Sequence, residues 1–232
     1  MEEVIFQENL IMEKLLFVIG SFNVGGTELQ FMKIFENLIK RKKQVSVITV
    51  FEEGKYADQM KKMGVKVFSI KNSGKNIIMK FFKYISVIHL IYSKTKLIKP
   101  DLINFVLPHS YILGGLATIF FKTKKIMWRR SENLYQKKII FSKNLERLLH
   151  KKMYLIVCNS KNSRKQLIQE EYANEEKVKL IYNGIIKSKK IEKKLKMIDF
   201  CSRNMKIFVH VANFMPYKNQ LLVRCVQLIV FL

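Results

Sequence analysis

The stretch LLFVIGSFNVGGTELQFMKIFENL, residues 15–38, carries the pattern that decides the fold. It opens on five consecutive apolar residues, Leu15–Ile19, which are typical of a strand buried on both faces. A loop containing Gly25 and Gly26 follows, and Thr27 is predicted as the N-cap of the next helix. Downstream of the loop, apolar residues recur at helical spacing. The stretch therefore predicts a buried strand, a glycine loop and an amphipathic helix.

The same change of period recurs along the chain. Further strands are predicted at Val45–Phe51, Val65–Ile70, Leu102–Leu107, Lys125–Arg129, Tyr154–Cys158 and Val178–Tyr182. Helices are predicted between them at 55–63, 77–98, 111–121, 139–152 and 161–171, the last capped by Asn159-Ser160. Short connections make the crossovers right-handed and the sheet parallel. We therefore predict an α/β fold, a doubly wound parallel sheet over residues 12–185.

Three segments flank the predicted domain. Residues 1–11 are interpreted as an N-terminal extension, and residues 186–205 as a basic linker without an apolar period. Residues 206–232 contain a strand, a loop and the start of a helix, which are too small to bury a core of their own. We therefore expect the chain to end inside a truncated second domain.

Composition narrows the classes of protein that fit. The chain has 232 residues, of which 49% are hydrophobic, so it can bury a core and is not disordered. Lys and Arg outnumber Asp and Glu by 43 to 18, a net charge of +25 that favours anionic partners. The cysteines Cys158, Cys201 and Cys225 lack zinc-site spacing and fit a reduced, cytoplasmic setting. We expect no signal peptide, because the first residues are acidic and lack a basic n-region, and no apolar run reaches the roughly 20 residues of a membrane span.

The glycine loop and a distant lysine are the candidate ligand-binding positions. In open parallel sheets ligands bind at the carboxyl ends of the strands, where Gly25, Gly26 and Thr27 lie at a helix N-terminus. Its N–H groups and partial positive charge suit a phosphate or sugar oxygen, although a plain turn is the alternative. Lys218 follows the strand of the second unit and could neutralise a phosphate, or be an ordinary surface lysine. Phe22 stands where a dinucleotide fingerprint requires glycine, and no P-loop is present.

Five segments together resemble a known family. They are the opening stretch and, in order along the chain, DLINFVLPHSYILGGLA, YLIVCNSKNSRKQL, KVKLIYNGI and IFVHVANFMPYKNQLL. In this order they resemble family 4 glycosyltransferases of the GT-B fold. The resemblance implies two Rossmann-like domains, the N-terminal one for the acceptor and the C-terminal one for a nucleotide-sugar donor. It further implies retaining transfer of a hexosyl-type sugar to a glycan or lipid-linked acceptor in cell-surface polysaccharide biosynthesis, without a metal or other cofactor.

The resemblance also implies roles for donor-side residues. Gly25, Gly26 and Thr27 would contact the donor phosphate or sugar, and Lys218 matches the lysine that binds the donor diphosphate. Asn213 stands where the family usually has an arginine. The loss of that cation is expected to weaken the contact with the donor diphosphate. The paired glutamates of the family's donor site belong downstream, and nothing after Lys218 is acidic. We therefore expect this chain to be inactive by itself, and its catalytic residue is unknown.

Two further positions are acceptor-side candidates. His109 follows the fourth predicted strand, and Arg130 follows the fifth, where the family often has a histidine. Arg130, in the pair Arg129-Arg130, could be an active-site cation or a plain surface charge. His89 and His150 lie on predicted helices and are interpreted as surface or packing residues.

The charge leaves other hypotheses open. Residues 75–99 and 139–152 combine large apolar and basic residues, as an interfacial helix does, so an anionic membrane surface is a candidate partner. The enzyme would then be peripheral at the inner face of the membrane; the alternative is a core helix with a solvated lysine face. A basic nucleic-acid-binding α/β protein would explain the charge, but no nucleic-acid-binding motif is present. A non-functional gene remnant is the third hypothesis.

Overall fold

The computed structural model describes residues 12–23, 25–70, 76–131, 136 and 142–184, which all belong to one compact unit. Its strands are β1 Lys14–Ile19, β2 Gln44–Thr49, β3 Lys66–Phe68, β4 Leu102–Val106, β5 Lys124–Arg129, β6 Leu155–Cys158 and β7 Val178–Leu180. Its α-helices are α1 Gly26–Lys40, α2 Ala57–Lys62, α3 Ile77–Ile98, α4 Pro108–Ala117, α5 Ser142–Lys152 and α6 Lys161–Gln169. A 3₁₀ turn, Glu175–Lys177, precedes β7.

The seven strands form one parallel sheet in the order β3-β2-β1-β4-β5-β6-β7. Leu15 of β1 pairs with Val45 of β2 on one side and with Leu102 of β4 on the other. The chain therefore winds outward from β1 in one direction and from β4 in the other. This arrangement confirms the predicted doubly wound, Rossmann-like sheet, and it places a topological switch point between β1 and β4.

The core has two layers, one on each face of the sheet. Leu16 and Val18 of β1 belong to the layer beneath α3, α4 and α5, while Phe17 and Ile19 belong to the layer beneath α1 and α2. Phe17 packs edge-on against Phe35 of α1, with ring centroids 4.8 Å apart. Because both faces are covered, every residue of the run must be apolar, which explains the continuous pattern in the sequence.

Two helix N-termini differ from the prediction. The N-cap of α1 is Gly25, with an extended backbone (φ −163°), so the prediction of Thr27 as the cap was wrong and Thr27 lies inside the first turn. Helix α4 begins at Pro108 rather than at the predicted residue 111. The fixed φ of proline and its missing N–H suit the first helical position, so proline starts this helix. The predicted cap of α6 is confirmed, since the Ser160 hydroxyl accepts from the Ser163 N–H at 3.1 Å.

The remaining predicted segments receive no structural test. The N-terminal extension 1–11, the linker 186–205 and the start of a second domain at 206–232 lie outside the described residues. Among the helices that are described, none combines the length and hydropathy that crossing a membrane requires.

Candidate functional site

The loop after β1 is fastened to the loop after β2 through Phe22. The side chain of Phe22 is fully buried, its N–H donates to the Glu53 carbonyl at 2.8 Å, and its carbonyl accepts from the Tyr56 N–H at 3.0 Å. These bonds hold the two loops together at the carboxyl edge of the sheet. The position that excludes a dinucleotide fingerprint in the sequence is therefore an anchor for the glycine loop.

Gly54 makes this loop contact possible. Its backbone has φ +82°, and a Cβ atom built on it would lie 2.4 Å from the Phe22 carbonyl carbon. A side chain at this position would be strained and would also collide with backbone that cannot move aside cheaply. Beside it, Asn23 Nδ2 donates to Glu52 Oε1 at 2.6 Å, which adds a side-chain contact between the same two loops.

The paired glycines at the start of α1 have different surroundings. A Cβ on Gly25 would lie 2.2 Å from Glu28 Oε2, because the Glu28 carboxylate folds back over the N-cap. Glutamate at the third helical position favours this arrangement, and its charge suits the positive end of the helix dipole. A Cβ on Gly26 would meet nothing within 4 Å, and Gly26 is exposed. The first turn of α1 is thus open to a ligand at Gly26.

Arg130 lies beside this helix turn. Its guanidinium carbon is 5.7 Å from the centre of the Phe31 ring of α1, and its Nη2 donates to Asn183 Oδ1 at 2.6 Å. Burial lowers the pKa of Arg130, and the negative charge of Glu28 opposes that effect. The structure therefore brings Arg130 together with the glycine loop, and Arg130 is a half-buried edge residue held by specific contacts rather than a plain surface charge.

His109 lies on the other side of the loop. It is the second residue of α4, and its ring packs edge-on against Phe51 with centroids 5.2 Å apart. Phe51 in turn is 3.6 Å from the position of a Cβ on Gly20. Contact with the protein lowers the pKa of the exposed His109 imidazole through desolvation, so the ring is neutral near pH 7. A neutral imidazole can both donate and accept hydrogen bonds, which suits a hydroxyl ligand.

The candidate residues that are described share one edge. Gly25, Gly26 and Thr27 follow β1, His109 follows β4 and Arg130 follows β5, around the switch point of the sheet. Lys218, the remaining donor-side candidate, lies outside the described residues. Asn183 was missed in the sequence analysis, although it belongs to the quoted segment KVKLIYNGI. Glu28 was also missed as a site residue, although it belongs to the quoted family stretch.

A second polar cluster, the Arg129 cluster, lies behind β5 in the core. It consists of Arg129, Glu146, Glu171, His150 and Tyr111, and their side chains are all at most 3% exposed. Arg129 Nη2 binds Glu146 Oε2 at 2.9 Å and also binds Glu171 Oε2. His150 Nε2 is 3.0 Å from the same Glu171 oxygen, and its Nδ1 is 2.7 Å from the Tyr111 hydroxyl. The interpretation of His150 as a packing residue is thus consistent with its place in this network.

Burial governs the charges of the Arg129 cluster. It lowers the pKa of His150 to about 3, aided by the charge of Arg129, so the imidazole is neutral. It raises the pKa of Glu171 to about 7, although Arg129 opposes that shift. Glu146, His150 and Glu171 could in principle hold a metal, since their ligand atoms lie within 4.8 Å of one another. Arg129 already supplies the positive charge among them, so the cluster does not fit a metal ion.

Comparison with known proteins assigns the family. The profile of Glycosyltransferase Family 4 matches residues 24–189, well over half of the chain. The chain therefore belongs to Glycosyltransferase Family 4. No curated protein matches it.

Several solved structures share the fold. HepE (Alr3699) of Anabaena, in complex with UDP and glucose, has 20% identity and a TM-score of 0.54 over 75% of this chain and 45% of that one. A glycosyltransferase from Rickettsia africae ESF-5 has 16% identity and a TM-score of 0.55, over 82% and 51%. The apo lipopolysaccharide outer core galactosyltransferase WaaB has 14% identity and a TM-score of 0.55, over 74% and 46%. The chain spans about half the length of these structures.

Proposed function

We propose that this chain provides the acceptor domain and part of the donor site of a glycosyltransferase, which transfers a sugar from a nucleotide sugar to a glycan or lipid-linked acceptor. Family membership supports the reaction class. The observation that carries the proposal to particular residues is the open first turn of α1 at Gly26, with Arg130 beside it at the switch point of the sheet. Ligands of doubly wound sheets bind at this position.

The electrostatics of the first turn favour a sugar over a second anion. The Glu28 carboxylate already occupies the region around the helix N-terminus, at Gly25. A phosphate placed directly there would be repelled by Glu28, whereas a sugar hydroxyl could accept from a first-turn N–H and donate to the carboxylate. We therefore assign the contact at Gly25, Gly26 and Thr27 to a sugar rather than to the donor phosphate.

Cationic side chains would serve the donor diphosphate. Lys218 matches the family's diphosphate lysine. Arg130, an acceptor-side candidate in the sequence analysis, is proposed here as a second cation for the diphosphate, because it lies beside the first turn of α1. Charge developing on the leaving nucleoside diphosphate would be stabilised by such fixed cations, without a metal. Retention of anomeric configuration, a hexosyl-type donor, a cytoplasmic location and a role in cell-surface polysaccharide assembly follow from the family resemblance and form part of the proposal.

An exposed apolar stripe on α3 supports a lipid-linked acceptor at a membrane surface. Five large side chains of the first half of the helix are exposed, namely Ile78, Met79, Phe81, Phe82 and Ile85. This half of α3 starts from the carboxyl edge, where Lys83 Nζ donates to the Phe51 carbonyl at 2.7 Å. The Phe51 ring also packs edge-on against His109, so the stripe lies near an acceptor-side candidate. We propose that the stripe contacts anionic membrane.

The glycosyltransferase proposal is tested by ligand binding to the full chain. UDP-glucose and UDP are the first probes, followed by the adenine, guanine and cytosine nucleotide sugars, each observed by saturation-transfer NMR. We expect the unaltered chain to bind at least one nucleotide sugar. The variant Arg130→Gln should weaken that binding about tenfold, since a charged hydrogen bond is lost. Arg41→Gln, which removes an exposed arginine at the far end of α1, is the matched control. The proposal is overturned if no nucleotide sugar binds, or if both variants weaken binding equally.

The membrane proposal has its own test, sedimentation with phosphatidylglycerol-containing vesicles. The double variant Phe81→Ser/Phe82→Ser is expected to reduce the bound fraction, because it removes apolar area that would insert. Leu97→Ser is the control, since Leu97 is 73% exposed but lies in the last turn of the same helix, away from the stripe. Equal binding by all three chains would contradict the proposal.

A further inference from the structure

The opposite, amino edge of the sheet contains a cleft with an unusual charge. The cleft has a volume of ≈ 540 Å³ and lies where β5, β6 and β7 begin, so it is remote from the carboxyl edge described above. Six of its twelve lining residues are lysines, namely Lys122, Lys124, Lys125, Lys151, Lys152 and Lys177. In the whole chain only 43 of 232 residues are Lys or Arg, so the cleft is enriched beyond the basic composition.

The described residues that line this lysine cleft carry positive charge only. Among the described residues that line it, none is Asp or Glu. Elsewhere in the molecule lysines do meet carboxylates, as Lys61 and Glu53 show at 2.5 Å. Within the cleft, burial lowers the pKa of Lys125, and the positive charge of Lys152 adds to that effect. An anion that entered the cleft would relieve this repulsion.

Several of the lysines are held in place by the protein. Lys125 is only 4% exposed, and its Nζ donates to the Phe121 carbonyl. Lys177 Nζ donates to the Lys151 carbonyl at 3.3 Å, and Lys124 Nζ lies 4.6 Å from the centre of the Tyr154 ring. These contacts reduce the side-chain entropy that ligand binding would otherwise remove. Three of the six lysines are therefore pre-positioned, and the exposed Lys122, Lys151 and Lys152 line the cleft with them.

We infer that the lysine cleft binds a group with clustered phosphates. Ammonium groups act as point charges without the planar geometry of arginine, which suits tetrahedral phosphates in several orientations. A volume of ≈ 540 Å³ is in the range of small-ligand pockets and accommodates more than one phosphate. The ligand is either a soluble polyphosphate or the phosphate headgroups of anionic lipid. The inference is independent of the proposed glycosyltransferase function, because it uses the other edge of the sheet.

Calorimetric titration of the full chain with inorganic tripolyphosphate, at about 100 mM salt, tests the site. We expect tripolyphosphate to bind more tightly than inorganic phosphate, because several lysines act at once. The variant Lys151→Gln/Lys152→Gln should weaken binding about tenfold or more, because it removes two exposed charges that line the cleft. The matched control is Lys62→Gln/Lys66→Gln, which removes two exposed lysines near β3 at the far end of the sheet. Thermal unfolding of both variants verifies that they fold.

A vesicle arm separates the two sources of phosphate. Vesicles with phosphatidylglycerol are compared with vesicles of phosphatidylcholine alone, using the same two double variants. If Lys151→Gln/Lys152→Gln reduces sedimentation with the anionic vesicles and the control pair does not, the cleft binds lipid headgroups. If the chain binds tripolyphosphate but the cleft variant sediments with the vesicles as before, the ligand is a soluble polyphosphate. The inference is overturned if neither probe binds, or if the control pair weakens binding as much as the cleft pair.

Discussion

Two adjacent arginines at the end of β5 lie in opposite environments. Arg129 is 2% exposed and binds Glu146 and Glu171 in the core, whereas Arg130 is half-buried at the carboxyl edge and donates to Asn183. Side chains alternate across a strand, so one step along the backbone moves a guanidinium from one face to the other. One arginine thus supports the fold, and its neighbour is available to a ligand.

The difference predicts that stability and function can be separated at this strand end. Charges in the core are costly to leave without a partner, while a cation at the edge can regain water. Variants of the Arg129 cluster should therefore change the free energy of unfolding, and variants around Arg130 should change binding. The following predictions test this separation, beginning with the largest expected effect.

Replacing Arg129 should have the largest effect on stability. Arg129→Met leaves Glu146 and Glu171 buried without their cation, and we expect a loss of about 3–5 kcal/mol in the free energy of unfolding. Arg130→Met is the matched control, with an expected loss below about 1 kcal/mol. Urea denaturation followed by circular dichroism measures both, and Arg129→Lys reports whether a charge alone suffices. Equal losses for the two methionine variants would contradict the comparison.

Substitutions of two glycines at the carboxyl edge should likewise separate an effect on stability from an effect on binding. Gly54→Ala places a Cβ against the backbone of Phe22 at a positive φ, and we expect a loss of about 2–3 kcal/mol. Gly26→Ala enters open space in a helix and should change stability by less than about 1 kcal/mol. Its effect should instead appear in ligand binding at the first turn of α1. A stable Gly54→Ala variant would show that the two loops do not interlock as described.

The pH dependence of stability should come from two opposing groups in the Arg129 cluster. The folded pKa of His150 is about 3, below its usual 6.5, so its contribution is present above pH 6.5 and is lost as the pH falls towards 3. The folded pKa of Glu171 is about 7, above its usual 4.5, so its contribution is present below pH 4.5 and is lost as the pH rises through 7. Between pH 4.5 and 6.5, the rise in stability from His150 and the fall in stability from Glu171 offset each other.

Single variants should expose each slope. With His150→Gln, we expect stability to fall by about 1 kcal/mol per pH unit as the pH rises from about 5 to 6.5, because only Glu171 remains. With Glu171→Gln the slope should reverse, because only His150 remains. Urea midpoints at several pH values measure both, and the unaltered chain should be nearly flat in the same interval. Parallel profiles for the three chains would show that His150 and Glu171 do not titrate as assigned.

The smallest effect on stability is expected at the partner of Arg130. Asn183→Ala removes one hydrogen bond at the edge, and we expect a change below about 1 kcal/mol in the free energy of unfolding. It should nevertheless weaken nucleotide-sugar binding several-fold, because Arg130 loses the contact that orients it. Asn37→Ala on the exposed face of α1 is the control for loss of an amide. Unchanged binding would mean that Asn183 does not position Arg130.

Local patterns predicted most of the secondary structure. The predicted helix 77–98 matches α3, because Lys99 and Pro100 end the helical period in the sequence itself. The cap at Ser160 was equally local, since a hydroxyl directly before a helical run can accept from the N–H two or three residues further on. Thr27 was misassigned as a cap because Gly25, lacking a side chain that could signal capping, takes that role.

Pairings between distant residues could not be predicted in this way. Arg129 meets Glu146 and Glu171 only because β5, α5 and the end of α6 come together in the core. His150 was expected to be a packing or surface residue, and nothing in its helix indicates the buried carboxylate that it contacts. The lysine cleft likewise combines residues from three separate connections, so the sequence shows only their abundance.

Strand β5 illustrates both what the sequence determined by itself and what only the tertiary structure decided. Buried-strand runs, helical periods and short connections determined the parallel doubly wound sheet, because these patterns depend on near neighbours and on burial of both faces. They also determined which edge carries the glycine loop. Only the tertiary structure decided that Lys125 and Arg129 point into the protein while Arg130 lies at the edge. The environment of a charge depends on what packs across from it, and that partner is set by contacts far apart in the chain.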